Sequence, residues 1–224
     1  MTIRERLING SIRLVTHAIL DLKTEGLDRI PRTGPGIVLS NHTTNLEGPI
    51  LYVLLSPRSS TGLGKYELWQ NRFTRFFVEA WGLIPLRRTG IDRDALRTAF
   101  RSLEAGQYLG IAPEGTRSKS GGLSRGMPGA AMIAARSGVP VYPVAHWGWT
   151  ALGQNLKRGK RTPVVFRAGP PFRVRHPESG SISGADRDRV LQEMMYQLAT
   201  ILPPQHRGVY SDIENRTTEF LEFL

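Results

Sequence analysis

His42 and Glu47 are the residues most able to do chemistry together. Asn41-His42 closes a short apolar run, Ile37 to Leu39, and four residues separate the imidazole from the carboxylate. A strand that delivers an imidazole to its end, with an acid near enough to turn back on it, is the skeleton of a base and its orienter. The carboxylate holds the proton on one ring nitrogen and leaves the other to accept a proton from a hydroxyl. A histidine capping a turn would give the same pattern. Two further polar clusters follow apolar runs: Arg87 and Arg88 after Gly82-Leu-Ile-Pro-Leu86, and Glu114-Gly115-Thr116-Arg117 after Tyr108 to Ala112. Arginines leaving neighbouring strands can converge on a phosphate through charge-assisted, often bidentate hydrogen bonds. Taken singly, each arginine reads as ordinary surface charge, and it is the three clusters at corresponding strand ends that point to a site.

The elements that must position these clusters alternate. Strands are expected at 37–39, 62–65, 82–86, 108–112, 139–145, 163–168 and 172–174. Helices are expected at 51–55, 67–80, from Asp92 as cap to Gly106, at 130–137 and at 186–201. This alternation predicts an α/β fold with a mixed, largely parallel central sheet flanked by helices, whose ligands gather beyond the carboxyl ends of the strands. Trp69, Phe73, Phe76 and Ala80 fall on one face of their helix and read as core, or as the wall of an acyl-chain tunnel. Residues 1–23 read as an amphipathic helix, with Ile8, Ile12, Val15, Ile19 and Leu22 on one stripe and Arg4, Arg6, Arg13 and Lys23 beside it. Such a helix either packs on the domain or lies in a lipid interface. The expected organisation is an N-terminal helical segment at 1–30, one domain at 31–210 and a tail at 211–224.

The balance of 30 basic to 19 acidic residues among 224, a net charge of +11, points to anionic partners. Nucleic acid is not expected among them, because no helix-turn-helix, zinc spacing or RNA-recognition motif accompanies the charge. An anionic membrane surface is the expected partner, with peripheral attachment at the cytoplasmic face. The chain has no cysteine, which removes thiolate chemistry and suits a reducing compartment. No apolar run approaches the ~20 residues of a membrane span, and the spaced N-terminal apolar residues do not read as a signal peptide.

These blocks together resemble the glycerolipid acyltransferases typified by 1-acylglycerol-3-phosphate acyltransferase, bacterial members included. The resemblance rests on Asn41-His42 with an acid at Glu47, on Gly82 to Arg88, on Glu114 to Arg117 and on Val139-Pro140-x-x-Pro143. It extends over roughly residues 30–210, including Leu202-Pro-Pro-Gln-His-Arg-Gly-Val-Tyr210. It implies acyl transfer from acyl-CoA or acyl-carrier protein to a lysophospholipid, most simply lysophosphatidic acid, without an acyl-enzyme, a metal or another cofactor. On that reading His42 and Glu47 are catalytic. Arg88, Glu114, Gly115, Thr116 and Arg117 serve the acceptor's phosphate, and Val139, Pro140 and Pro143 lie on the acyl-donor side. Glu47 stands where the family usually has aspartate, which leaves open a weak or silent protein that binds anionic lipid. Met127 stands where relatives often carry lysine. A competing G-x-S-x-G pattern, Gly122 to Gly126, would make Ser124 a hydrolase nucleophile with Asp186 and His206. Ser118 to Gly122 before it is no strand, so the required strand-to-helix turn is missing.

Overall fold

A computed structural model describes residues 2–87, 90, 92–118, 120–175 and 183–224. The helices are α1 (Ile3–Ile19), α2 (Glu47–Leu55), α3 (Arg72–Ala80), α4 (Arg93–Glu104), α5 (Pro128–Ser137), α6 (Leu152–Lys157) and α7 (Gly184–Ile201). The strands are β1 (Leu20–Glu25), β2 (Gly36–Ser40), β3 (Ser60–Lys65), β4 (Ile84–Leu86), β5 (Tyr108–Ile111), β6 (Val141–Trp147), β7 (Thr162–Ala168), β8 (Phe172–Val174) and β9 (Leu221–Phe223). They form one mixed sheet in the order β1-β7-β6-β2-β5-β3-β4, with β8 paired to β6 and β9 to β8. From β6 to β4 every pairing is parallel, whereas β7 runs antiparallel to β6 and carries β1 with it.

β2 lies at the centre, paired to β5 on one side and β6 on the other. All five of its residues are buried, which is why it reads as a continuous apolar run. Its alternating side chains feed two cores. Ile37 and Leu39 pack with α4, α5 and α7, while Val38 faces Ile50, Leu51 and Leu55 of α2 and Phe166 of β7. Each such side chain, fully removed from water, contributes about 1.5–3 kcal/mol. The sheet is thus held rigid from both faces, and the ends of β2, β5 and β6 are fixed relative to one another.

Three expectations are corrected. The helix at the N-terminus stops at Ile19, and Leu20 opens an edge strand that pairs with β7 in parallel. Leu20 and Leu22 suit a strand's alternation as well as a helix's stripe, so the pattern alone was ambiguous there. Segment 1–30 is therefore stitched into the sheet. So is the tail, where Leu221–Phe223 pairs with β8 and buried Glu193 accepts hydrogen bonds from Thr217 Oγ1, Glu219 N and Phe220 N. The second correction concerns the helix expected at 67–80, which is broken. A 3-10 turn at Tyr66–Trp69 precedes Asn71, whose side chain caps α3 by accepting from Phe73 N and Thr74 N. The third concerns its aromatic face. Phe73 and Phe76 are exposed, and the buried residues of that region are Val78 and Trp81. Phe73 and Phe76 are thus not core, while Trp69 and Ala80 are half-buried.

Candidate active site

Asn41 and His42 leave the carboxyl end of β2. The Asn41 amide bridges to β6, donating to His146 O and accepting from His146 N, each at 2.9 Å. This pins the chain immediately before the catalytic candidate. His42 then meets Glu47, the first residue of α2, through Nδ1 and Oε1. Glu47 Oε2 accepts from Thr44 N at 2.6 Å, and Thr44 Oγ1 accepts from Leu46 N at 2.7 Å. The carboxylate thereby holds the imidazole and the loop that leads into α2 at once, and it sits in the first turn of that helix, where the dipole favours negative charge. Glu47 is buried, while the His42 side chain remains 27% exposed. Among the described residues nothing hydrogen-bonds His42 Nε2. An imidazole fixed through Nδ1 and open at Nε2 is the arrangement a general base requires.

The Glu114–Arg117 loop, which follows β5, grips His42 by its backbone. Glu114 Oε1 accepts from His42 N, and Ser118 N donates to His42 O, both at 2.8 Å. Glu114 Oε2 accepts from Ser124 N, also at 2.8 Å. Glu114 is only 2% exposed; burial pushes its pKa up, against the pull of these backbone donors. Both oxygens of its carboxylate are engaged in holding His42 and the next loop. Gly115 is half-buried, and Thr116 and Arg117 are exposed.

The other residues singled out from the sequence are placed as follows. Arg88 lies outside the described residues. Arg87 sits 4.7 Å over the Tyr66 ring, and its N–H donates to Asp92, the cap of α4. Pro143 pairs with Leu39 in mid-sheet. Val139 and Pro140 precede β6 at the opposite end of the sheet, about 20 Å from His42 at the rise of a strand. The structure does not bring them to the dyad. Met127 is exposed, and its side chain lies against Gly115.

The Ser124 alternative is overturned. His206 Nδ1 is hydrogen-bonded to Gly121 O, and Asp186 bonds Ser183 at the start of α7. His206 lies beyond the far end of that 18-residue helix, about 25 Å away at 1.5 Å per residue. The triad does not assemble. The motif has another cause. A Cβ at Gly122 would lie 2.9 Å from Gly208 Cα, and one at Gly126 would lie 2.8 Å from Leu191 Cδ1, while Ser124 serves Glu114.

His146 is the residue the sequence did not flag as part of the site. It is fully buried; Nε2–H donates to Asn41 O and Nδ1 accepts from Trp149 Nε1, each at 2.8 Å. Burial lowers its pKa to about 4. Ser40 Oγ and Thr43 Oγ1, on either side of Asn41-His42, are buried without a hydrogen-bond partner among the described residues. No group of three or more His, Cys, Asp or Glu side chains among those residues converges to hold a metal ion.

Residues 21–147 match the sequence model of a family described as Acyltransferase. A chloroplastic 1-acyl-sn-glycerol-3-phosphate acyltransferase of Arabidopsis thaliana is 31% identical over 131 residues, 57% of this chain and 36% of the plant protein. The corresponding protein of Pseudomonas aeruginosa is 30% identical over 59% of this chain and 52% of its own length, and that of Bacillus subtilis 26% over 64% and 71%. The aligned part of the chain thus spans about a third of the length of the plant relatives. The fold is similar to the crystal structure of the 1-acyl-sn-glycerophosphate acyltransferase PlsC from Thermotoga maritima. Its TM-score is 0.64 at 24% identity, over 96% of this chain and 81% of that one.

Proposed function

The chain belongs to the acyltransferase family, and on that premise we propose that it moves an acyl group from a thioester, acyl-CoA or acyl-carrier protein, to the free hydroxyl of lysophosphatidic acid. The observation that carries this reading is the His42–Glu47 pair: Nδ1 is held, the ring is partly exposed, and Nε2 is unengaged among the described residues. Nε2 takes the hydroxyl proton as the hydroxyl oxygen bonds to the thioester carbonyl carbon. The tetrahedral intermediate expels the thiolate, which takes the proton back from His42. Glu47 stabilises the imidazolium that forms between these steps. No covalent acyl-enzyme, metal or further cofactor enters the scheme. The thioester is already activated, so positioning supplies much of the acceleration. Arg117 and Arg88 bind the acceptor's phosphate in this reading, while Glu114 fixes His42.

Attachment to the cytoplasmic face of an anionic membrane belongs to the same proposal, on a different face from the one expected. Ile8 is buried and Ile12 and Ile19 pack inward, whereas Ile3, Leu7 and Leu14 form an exposed line on the other side of α1. Phe73 and Phe76 extend that apolar surface, with Arg4 bonded to Phe76 O at 2.7 Å and stacked 4.2 Å over its ring. No helix among the described residues is long and apolar enough to cross a membrane. Leu7→Asp with Leu14→Asp is expected to abolish flotation with phosphatidylglycerol vesicles; unchanged flotation would remove α1 as the attachment.

Thiol release from palmitoyl-CoA and from palmitoyl-acyl-carrier protein, with and without lysophosphatidic acid, tests the reaction. Acceptor-dependent release that disappears in His42→Ala is expected. Absence of such release with both donors and a panel of lysophospholipids would overturn the proposal.

A further inference from the structure

We propose that the C-terminal segment 203–210 is a latch that sets the loop after Glu114, and that Gly208 and Tyr210 are positioning residues for the acceptor. The segment lies beyond residues 21–147, which the family's sequence model matches, and far in sequence from His42 and Glu47. It is nevertheless joined to them through a short chain of hydrogen bonds. Leu123 N donates to His206 O and Val209 N donates to Leu123 O, both at 3.1 Å, so one residue of the loop is bracketed by the segment. His206 Nδ1 bonds Gly121 O at 3.2 Å, and Gly126 N donates to the Tyr210 hydroxyl at 3.3 Å. The loop's opposite side is held by Glu114, which binds Ser124 N with one oxygen and His42 N with the other. Loop 121–126 is therefore clamped between the C-terminal segment and the residue that carries the base.

The approach is too close for a side chain. Gly208 has φ +53, and a Cβ there would lie 2.1 Å from Leu123 O and 2.6 Å from Leu123 N. Gly122 faces it, with a Cβ position 2.9 Å from Gly208 Cα. Neither clash involves the end of a flexible side chain, so any residue other than glycine at 208 must open the bracket. Tyr210 is buried, its ring packed against Tyr196 at 5.2 Å between centroids, which fixes the height of the hydroxyl under Gly126. Thr116 and Arg117 sit on the same connection between β5 and α5, upstream of the clamped residues. Loosening the clamp lets that connection move relative to His42. The group that suffers is the acceptor whose hydroxyl and phosphate must span the two, rather than the thioester donor.

This proposal rests on the acyl-transfer reading for its kinetic arm, and a second arm is independent of it. Tyr210→Phe keeps the ring and removes only the hydroxyl, a loss on the scale of one hydrogen bond. It is expected to raise the KM for lysophosphatidic acid roughly fivefold, with the KM for palmitoyl-CoA unchanged and the thermal midpoint lowered by no more than the few degrees that one hydrogen bond accounts for. Gly208→Ala is expected to lower kcat/KM for the acceptor on the order of tenfold to a hundredfold through backbone strain. Without any substrate, amide exchange at Leu123, Ser124 and Gly126 and tryptic cleavage after Arg125 should accelerate in Tyr210→Phe. Unchanged acceptor KM together with unchanged exchange would overturn the latch. Equal losses for donor and acceptor, in step with a lower thermal midpoint, would also overturn it and make the segment merely structural. If the wild type releases no thiol with any acceptor, the acyl-transfer reading fails. Faster exchange would then still support the latch, and unchanged exchange would still refute it.

Discussion

Two histidines stand at the ends of adjacent parallel strands and are put to opposite uses. In the register of β2 with β6, Ser40 lies beside Val144, and two residues further on each strand come His42 and His146. Near the end of β6 the imidazole is buried and its polar atoms are satisfied. His146 is wholly buried, both ring nitrogens are bonded, and the ring packs against Phe166 and Trp149. A second proton would set an N–H against the indole N–H, and burial already lowers the pKa to about 4. At the end of β2 the ring is partly in water, with a carboxylate on one nitrogen. The difference teaches that a buried, doubly bonded imidazole is a strut. A half-exposed one with a single committed nitrogen can shuttle a proton.

The largest expected effects test that contrast directly. His42→Ala should reduce acceptor-dependent thiol release on the order of a thousandfold, with the thermal midpoint little changed. His146→Phe should do the reverse. It leaves the buried Asn41 O and the half-buried Trp149 N–H without their partners, at about 2–4 kcal/mol of stability, measured by urea unfolding. Loss of stability in His42→Ala with activity per folded molecule retained would invert the assignment.

Glu47→Asp sharpens the comparison at the wet end. Glutamate holds both His42 Nδ1 and Thr44 N from the first residue of α2. Aspartate, one methylene shorter, keeps one of these bonds unless the helix moves. A fall in kcat of about tenfold is expected, with the acceptor KM retained. A faster enzyme would show that the natural glutamate detunes the base.

Much of this was legible in the chain. β2, β5 and β6 announce themselves as apolar runs ending in polar residues, and Asp92 and Gly138 bound their helices as expected. The contact between His42 and Glu47 was legible too, because the two are five positions apart and local spacing governs them. Glu114 was visible only as a motif member. That its two oxygens serve backbone N–H groups 72 and 10 residues away is a property of register between β2 and β5, which no local pattern encodes. The same holds for the latch. Gly208 in sequence is one glycine among 24, and only the approach of Leu123 explains it. The exposed Phe73 and Phe76 misled for a different reason. An amphipathic period reports that a helix has two faces, and not which of them meets protein.

The smallest expected effect concerns pH. The folded-state pKa of His146 is depressed to about 4 from the ordinary 6.5, by burial first. Between those values the unfolded chain binds a proton at this site that the folded chain refuses. Its contribution to stability is therefore complete above pH 6.5 and is lost as pH falls toward 4. From pH 7 to pH 5.5 the loss from this one group is roughly 1 kcal/mol. His146→Gln removes the titration while keeping a side chain able to donate to Asn41 O. All other ionisable groups are common to both proteins, so the difference between the two stability curves isolates position 146. The variant should start less stable at pH 7 and lose less on acidification, bringing the two curves together by pH 5.5. Parallel curves would mean that His146 takes up its proton while folded. The buried site of His146 would then be open to water, and the contrast with His42 would rest on the carboxylate alone.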